Sequence, residues 1–352
     1  FIRGETTPDA VRPDPNGPKI GVSHPRPSSM LKACGLAEFS ADIKLQNALE
    51  VAVHRSTEHH AMITSIDTSV AEKMPGVVGV MTARDIKGTN RIKIVYGDQP
   101  ILAEDKVYCL GDSVAIVVAN TREQALAAAA AVKVAYEPLP VLKTPEQAMS
   151  PDAIQLHSER PNLCFRQPQI RGDAEKALAE SAAVVEGHFS TQCNHQAPLE
   201  PEATIAYIEG DGEDAQLVVV GRSINIHLHM SNLQEALGYE NIRYEEAFSG
   251  GNFGQKLAMT SEAVSGAAAL HFRRPVRYIP SLAESMLMSS KRHPFNMKVK
   301  LGASADGKLT AFDIDFIVDN GAYQINGMVI VKRALWMLSG SYYIPNINAL
   351  AR

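Results

Sequence analysis

Ser249-Gly250-Gly251-Asn252-Phe253-Gly254-Gln255-Lys256 sets three glycines around one aromatic. A β-like run from Asn241 to Phe248 leads in, and a small-residue stretch from Ser261 to Leu270 leads out as a helix. Strand, glycine loop and helix in that order turn backbone N–H groups toward an anion. The competing reading is a tight turn whose Phe253 plugs a core. The loop is not a P-loop, because G-x-x-x-x-G-K-S/T needs Gly at Gln255 and Ser or Thr at Leu257. It is not G-x-G-x-x-G either.

Outward from the loop, residues from about 173 alternate strand and helix. Ala174 to Ala183 reads as a short helix, and Val184–Thr191, Thr204–Ile208 and Leu217–Val220 read as strands. Ile224 to Gly238 reads as a helix ended by its glycine. Pro275–Tyr278 is a strand, and Asn296–Ala303 and Lys308–Val318 form a hairpin over Asp306-Gly307. Val329–Leu338 is a last helix, with no further element expected to Arg352.

A first unit covers about residues 29–140. Leu49–Val53, Val77–Met81, Ser113–Ala119 and Val132–Tyr136 read as strands, with Val77–Met81 apolar enough to be buried on both faces. Ile66-Asp67-Thr68 opens a short helix that Pro75-Gly76 ends. Thr121 to Gln124 is a capping box before an alanine helix, and Thr144-Pro145-Glu146-Gln147 is a second. This unit is expected to be a compact α+β body with its own core. Residues 150–172 read as loop, and the proline-rich residues 1–28 as a linker or surface strap.

Composition narrows the function. The 352 residues suffice for two or three domains of about 100–200 residues each. Lys plus Arg number 34 and Asp plus Glu 39, and a net charge of −5 argues against a nucleic-acid or anionic-membrane surface. No apolar run approaches the roughly 20 residues of a membrane span. Cys34, Cys109, Cys164 and Cys193 lie far apart without a C-x-x-C pair, which argues for reduced cytosolic thiols over a metal or disulfide framework.

Other candidates are weaker. His227 and His229 point to different sides of a helix, so one is expected packed and the other solvated. Adjacent His59-His60 carries no role. Glu200 and Glu202, flanking Pro201, are expected as exposed turn carboxylates. Lys332 and Arg333 open an apolar helix; Arg333 either snorkels or aims at a developing negative charge.

Several stretches together resemble the molybdenum hydroxylases, the xanthine dehydrogenase and aldehyde oxidase family. Gly250–Lys256 matches the family's G-G-x-F-G-x-K. Gly35-Leu36-Ala37-Glu38-Phe39, Ser65–Ser69 with Met74–Val77, Tyr136–Pro140, Lys291–Phe295, Arg333-Ala334-Leu335 and Tyr343–Ile347 follow in the family's order. The likeness runs from about residue 19 onward and is nearest to single-chain bacterial aldehyde oxidoreductases.

The resemblance implies an α+β chain in three parts. Residues 1–18 would be a linker from an upstream iron–sulfur domain, 19–145 an α/β-hammerhead domain, and 150–352 the first part of a molybdopterin-binding domain. It implies a molybdenum–molybdopterin cytosine dinucleotide cofactor, with two 2Fe–2S clusters carried elsewhere. Gly251, Asn252, Phe253, Gly254 and Ser223 would bind the cofactor, Phe253 through its backbone near molybdenum and without a direct protein ligand. Arg333 would be catalytic, and Leu257 would stand where purine enzymes carry a substrate-binding Glu, which favours an aldehyde. The implied catalytic Glu is absent here. Implied partners are the remaining molybdopterin-binding and iron–sulfur regions or subunits, in a cytoplasmic homodimer or larger complex. The alternatives are a split subunit of a xanthine or N-heterocycle hydroxylase, and a domain that only binds partner chains.

Overall fold

Ser113–Ala119, Ser-Val-Ala-Ile-Val-Val-Ala, is an apolar run that suits a strand covered on both faces. In the computed structural model, which describes Gly17, Ile20, Gly21, Arg26 and residues 28–352, this strand sits inside a seven-stranded sheet. The sheet order is Ile242–Glu246, Gln216–Gly221, Thr204–Glu209, Val276–Tyr278, Leu49–Arg55, Ser113–Ala119 and Val77–Thr82. Strands from residues 49–119 and from 204–278 therefore share one sheet. The join is a short parallel pairing of Leu49 with Val276 and Glu50 with Arg277, reinforced by Arg277 Nη2 at 2.6 Å from Glu50 Oε1. The expected linker over 1–18 lies outside the described residues, apart from Gly17.

The period-two alternation of strands sends neighbouring residues to opposite faces, and the two faces have different covers. Ala52, Ala115, Val117 and Ala119 pack under the alanine helix Arg122–Ala131. Leu49, Val51, Ile116 and Val118 join Leu217, Val219, Leu233, Met259 and Val264 in one core beneath helices Ile226–Leu237 and Thr260–Phe272. The first unit thus has cores of its own, under the alanine helix and around Ala61, Ala103, Val107 and Val114, and shares a third with the second unit. The alanine helix closes as its capping box dictates: Thr121 Oγ1 accepts from Gln124 N, and Gln124 Oε1 from Thr121 N.

A five-stranded sheet runs Ala183–Ser190, Phe295–Ala303, Leu309–Val318, Asn346–Ala351 and Gln167–Arg171. The hairpin turns at Gly307, whose φ of +82° is the left-handed conformation expected there. Helix Gly327–Trp336 lays Val331 and Leu335 on Ile314, Phe316 and Val318.

Four expectations are corrected. Val77–Thr82 is an edge strand in which only Met81 is buried, and among the described residues no strand pairs with its outer side. Ile66 and Asp67 end strand Ala61–Asp67, and the helix starts at Ser69, where Asp67 Oδ1 accepts the Ser69 N–H at 3.0 Å. Gln167–Arg171 and Asn346–Ala351 are strands that pair with each other across the length of the second unit. Helix Leu282–Met288 also forms, with Ser281 Oγ accepting from Glu284 N at 3.1 Å.

For the site, one pairing matters most. Gln216–Gly221 and Ile242–Glu246 run parallel, with Gly221 opposite Glu246. Arg222–Ser223 and the glycine loop therefore leave the sheet at one carboxyl edge, where ligands of open α/β sheets bind.

The shared core has a measurable consequence. Ile116→Ala removes a fully buried side chain and is expected to lower stability by about 2–5 kcal/mol. In native-state hydrogen exchange the amides of Val219 and Val117 should lose protection together. Loss confined to residues 49–119 would contradict a common core.

Candidate functional site

The glycine loop takes backbone conformations that explain its composition. Gly251 has φ +126° and Gly254 φ +86°, both disfavoured for side-chain-bearing residues. Phe253 itself sits at φ +52°, a strained position for a non-glycine residue. The residue is 63% exposed, so it plugs no core, whereas Ala258 and Met259 just after the loop are buried. A Cβ on Gly250 would lie 2.6 Å from Glu200 Cβ, which is why only glycine allows this approach.

The loop is tied down by few bonds. Asn252 Oδ1 accepts from Gly254 N at 3.0 Å and Lys256 N at 3.1 Å, and Asn252 O accepts from Gln255 N at 2.9 Å. Gly250 N donates to Glu200 Oε2 at 2.7 Å. Among the described residues the N–H groups of Gly251, Asn252 and Phe253 have no acceptor. Three donors in a row stay free beside an exposed aromatic ring.

Beneath the loop lies a buried ionic cluster. Glu200 is 7% exposed, Lys256 2% and Arg222 2%, so the exposed turn carboxylate expected at Glu200 is overturned. Lys256 Nζ is 2.9 Å from Glu200 Oε2, and Arg222 Nε is 3.0 Å from Glu200 Oε1. Arg222 also donates to Gly221 O at 2.8 Å and Ser40 Oγ at 3.0 Å. Burial pulls the Lys256 ammonium below its usual range, and Glu200 works against that shift. Two cations around one carboxylate explain why Glu200 stays inside.

Glu202 is buried as well and accepts from Gln255 Nε2 and from Ser285 Oγ, the latter at 2.6 Å. Ser285 Oγ stands 3.4 Å from His195 Nε2, which is 3.1 Å from Ser289 Oγ. Ala197 N donates to His195 Nδ1 at 3.0 Å, which leaves the ring proton on Nε2. Glu262, at the start of the following helix, accepts from Tyr244 Oη at 3.0 Å, and burial pushes its carboxyl up to about 7.

The sequence-named residues divide. Gly251, Asn252, Phe253, Gly254 and Ser223 leave the sheet at the same edge, with Ser223 Oγ accepting from Asn225 N at 2.9 Å. Leu257 is half-buried, and its carbonyl accepts from His229 Nε2 at 2.9 Å. His229 is fully buried, pushed down to about 4 by that burial, while His227 is exposed, as helix geometry requires. Arg333 is exposed on the helix over the five-stranded sheet and makes no side-chain bond to the loop among the described residues. Sequence reasoning missed Arg222, Gln255 and Ser285. The one available signal was an arginine interrupting the apolar Val218-Val219-Val220-Gly221-Arg222.

Comparison with known proteins is consistent across three lines. Residues 156–352 match the model of a molybdopterin cofactor-binding domain, and residues 34–140 that of the aldehyde oxidase and xanthine dehydrogenase a/b hammerhead domain. The chain is 36% identical to aldehyde oxidoreductase of Megalodesulfovibrio gigas, over 94% of its own length and 38% of that protein's. It is 33% identical to the nicotinate dehydrogenase large molybdopterin subunit of Eubacterium barkeri, over 95% of its own length and 78% of the subunit's. The solved aldehyde oxidoreductase of Desulfovibrio gigas superposes with a TM-score of 0.87 at 35% identity, covering 93% of this chain and 37% of the other.

Two outcomes test the buried charges. Glu200→Gln leaves Lys256 and Arg222 without their anion and should cost about 3–5 kcal/mol in urea unfolding. Adding Lys256→Met should recover part of that loss. The raised Glu262 carboxyl stabilises the fold below the unfolded carboxyl's range and loses that contribution as pH rises through about 7. The stability of Glu262→Gln measured from pH 4.5 to 7 should therefore lack the downward slope that this group gives the parent.

Proposed function

The chain belongs to the molybdenum hydroxylase family of aldehyde oxidases and xanthine dehydrogenases, and we propose that it forms one wall of the molybdopterin pocket in an enzyme that oxidises aldehydes to carboxylic acids with water as oxygen source. The observation that carries this reading is the run of three N–H donors on the glycine loop that have no acceptor among the described residues. The loop also fits a bound group sterically. A Cβ at Gly254 would meet nothing within 4 Å, so whatever approaches there meets bare backbone.

Gly251, Asn252, Phe253 and Gly254 would hold the molybdenum–molybdopterin group, proposed in its cytosine dinucleotide form, with Ser223 beside them. The Gly254 N–H is already taken by Asn252 Oδ1, so the donor role falls to Phe253 and the two residues before it. When bound, the cofactor supplies the oxygen-transfer and two-electron redox chemistry. The protein's part is to hold the donors still. Glu200 does so by accepting the Gly250 N–H while Lys256 and Arg222 neutralise it. Arg333 is assigned to stabilise charge developing on substrate oxygen, on its match to the family motif alone.

Leu257 supports an aldehyde over a purine, because an apolar side chain offers a purine's polar edge no partner. The catalytic Glu, the rest of the pocket and the two 2Fe–2S clusters are proposed to lie on a region or chain beyond this sequence, in a cytoplasmic homodimer or larger complex. The 78% coverage of the Eubacterium barkeri subunit favours a second reading, a subunit of an N-heterocycle hydroxylase.

Metal and pterin analysis of the intact particle should find molybdenum and pterin together; absence of both after gentle purification would sink the proposal. Leu257→Glu should lower aldehyde kcat/KM by about tenfold or more. Purine turnover gained without any loss on aldehydes would defeat the substrate argument.

A further inference from the structure

A cavity of about 290 Å³ lies between the strand end at Cys109–Ser113, the segment Leu287–Pro294 and the segment Asp319–Asn326. Its wall continues into the glycine loop's own turn, where Ser290 Oγ donates to Gln255 O at 3.2 Å. Lys291 opens onto this space. Among the described residues its ammonium has no carboxylate partner, and its one acceptor is Ser289 O. Two of its three N–H donors are left over.

Arg292 also lines the cavity and has no side-chain partner among the described residues, while the remaining charges are matched. Arg55 pairs with Glu284 at 2.9 Å. Asp112 accepts from Tyr323 Oη at 2.7 Å and Tyr108 N at 2.7 Å, and Asp319 Oδ1 from Gly321 N at 2.9 Å. Ile92, Ile101, Leu110 and Leu287 supply apolar wall. The carboxamides of Gln99 and Asn326, also in the wall, each have a buried oxygen without a partner among the described residues.

We propose that this cavity binds a small monocarboxylate, with Lys291 as the anion's partner and the apolar wall taking its hydrocarbon part. The identification of that ligand with the acid product rests on the aldehyde-oxidising reading above. Burial lowers the Lys291 ammonium, and a bound carboxylate would restore its charge.

Calorimetric titration of the intact, cofactor-loaded protein with benzoate tests this, with inorganic phosphate as a separate arm. Benzoate should bind, Lys291→Met should weaken it about tenfold or more, and Lys291→Arg should retain it. No benzoate binding, equal affinity in Lys291→Met, or phosphate binding as tightly as benzoate would each overturn the proposal. Should Lys291→Met fail to fold, acetylation of the parent protein followed by peptide mapping decides: benzoate should slow modification of Lys291, and equal rates with and without it count against the site. Molybdenum and pterin assayed on the same preparations separate the two readings. Their absence removes aldehyde oxidation while Lys291-dependent binding stands, and their presence without benzoate binding removes only the cavity assignment.

Discussion

One buried carboxylate fixes the conformation of the site. Glu200 accepts the Gly250 N–H, Lys256 and Arg222 in a space from which water is excluded. Taking a carboxylate out of water costs several kcal/mol, and two cations with good geometry offset it. The four groups come from three stretches, so the cluster joins the Glu200 turn, the end of one strand and both sides of the glycine loop. The loop's strained backbone at Phe253 persists because its flanks at Gly250 and Lys256 are held from below.

That arrangement needs a rigid platform, and the seven-stranded sheet provides it. The parallel pair that ends at Gly221 and Glu246 delivers Arg222 and the loop to the same edge. The opposite half of the sheet comes from residues 49–119, joined through Leu49 and Glu50 to Val276 and Arg277. Their common core runs from Val118 to Met259, so the two stretches matched by separate family models share one packed interior. The exposed Phe253 and the free donors next to it face outward from this platform, as a binding edge does.

Elements with local signals were legible. Ser113–Ala119 was readable from its apolar run, the alanine helix from Thr121 and Gln124, and the hairpin from Asp306-Gly307. The helical reading of Ile226–Leu237 placed His229 inside and His227 outside. Gln167–Arg171 and Asn346–Ala351 were not legible, because Gln167–Arg171 is a strand only by virtue of Asn346–Ala351, which itself pairs with the distant Leu309–Val318. The edge position of Val77–Thr82 was hidden for the same reason: hydrophobicity reports a tendency to be covered, while the neighbour that covers is chosen by topology.

The amino-acid sequence by itself determined the glycine loop, its flanking strand and helix, and the family, since these rest on residues adjacent in the chain. The tertiary structure decided which of the loop's groups are exposed. It turned Phe253 out of the core, left three N–H donors without an acceptor among the described residues, buried Glu200 and Glu202 against the sequence expectation, and kept Arg333 on a helix over the other sheet. The reason is separation along the chain. Glu200 meets Arg222 across 22 positions and Lys256 across 56, and a charge is stable inside only when partners that distant arrive together.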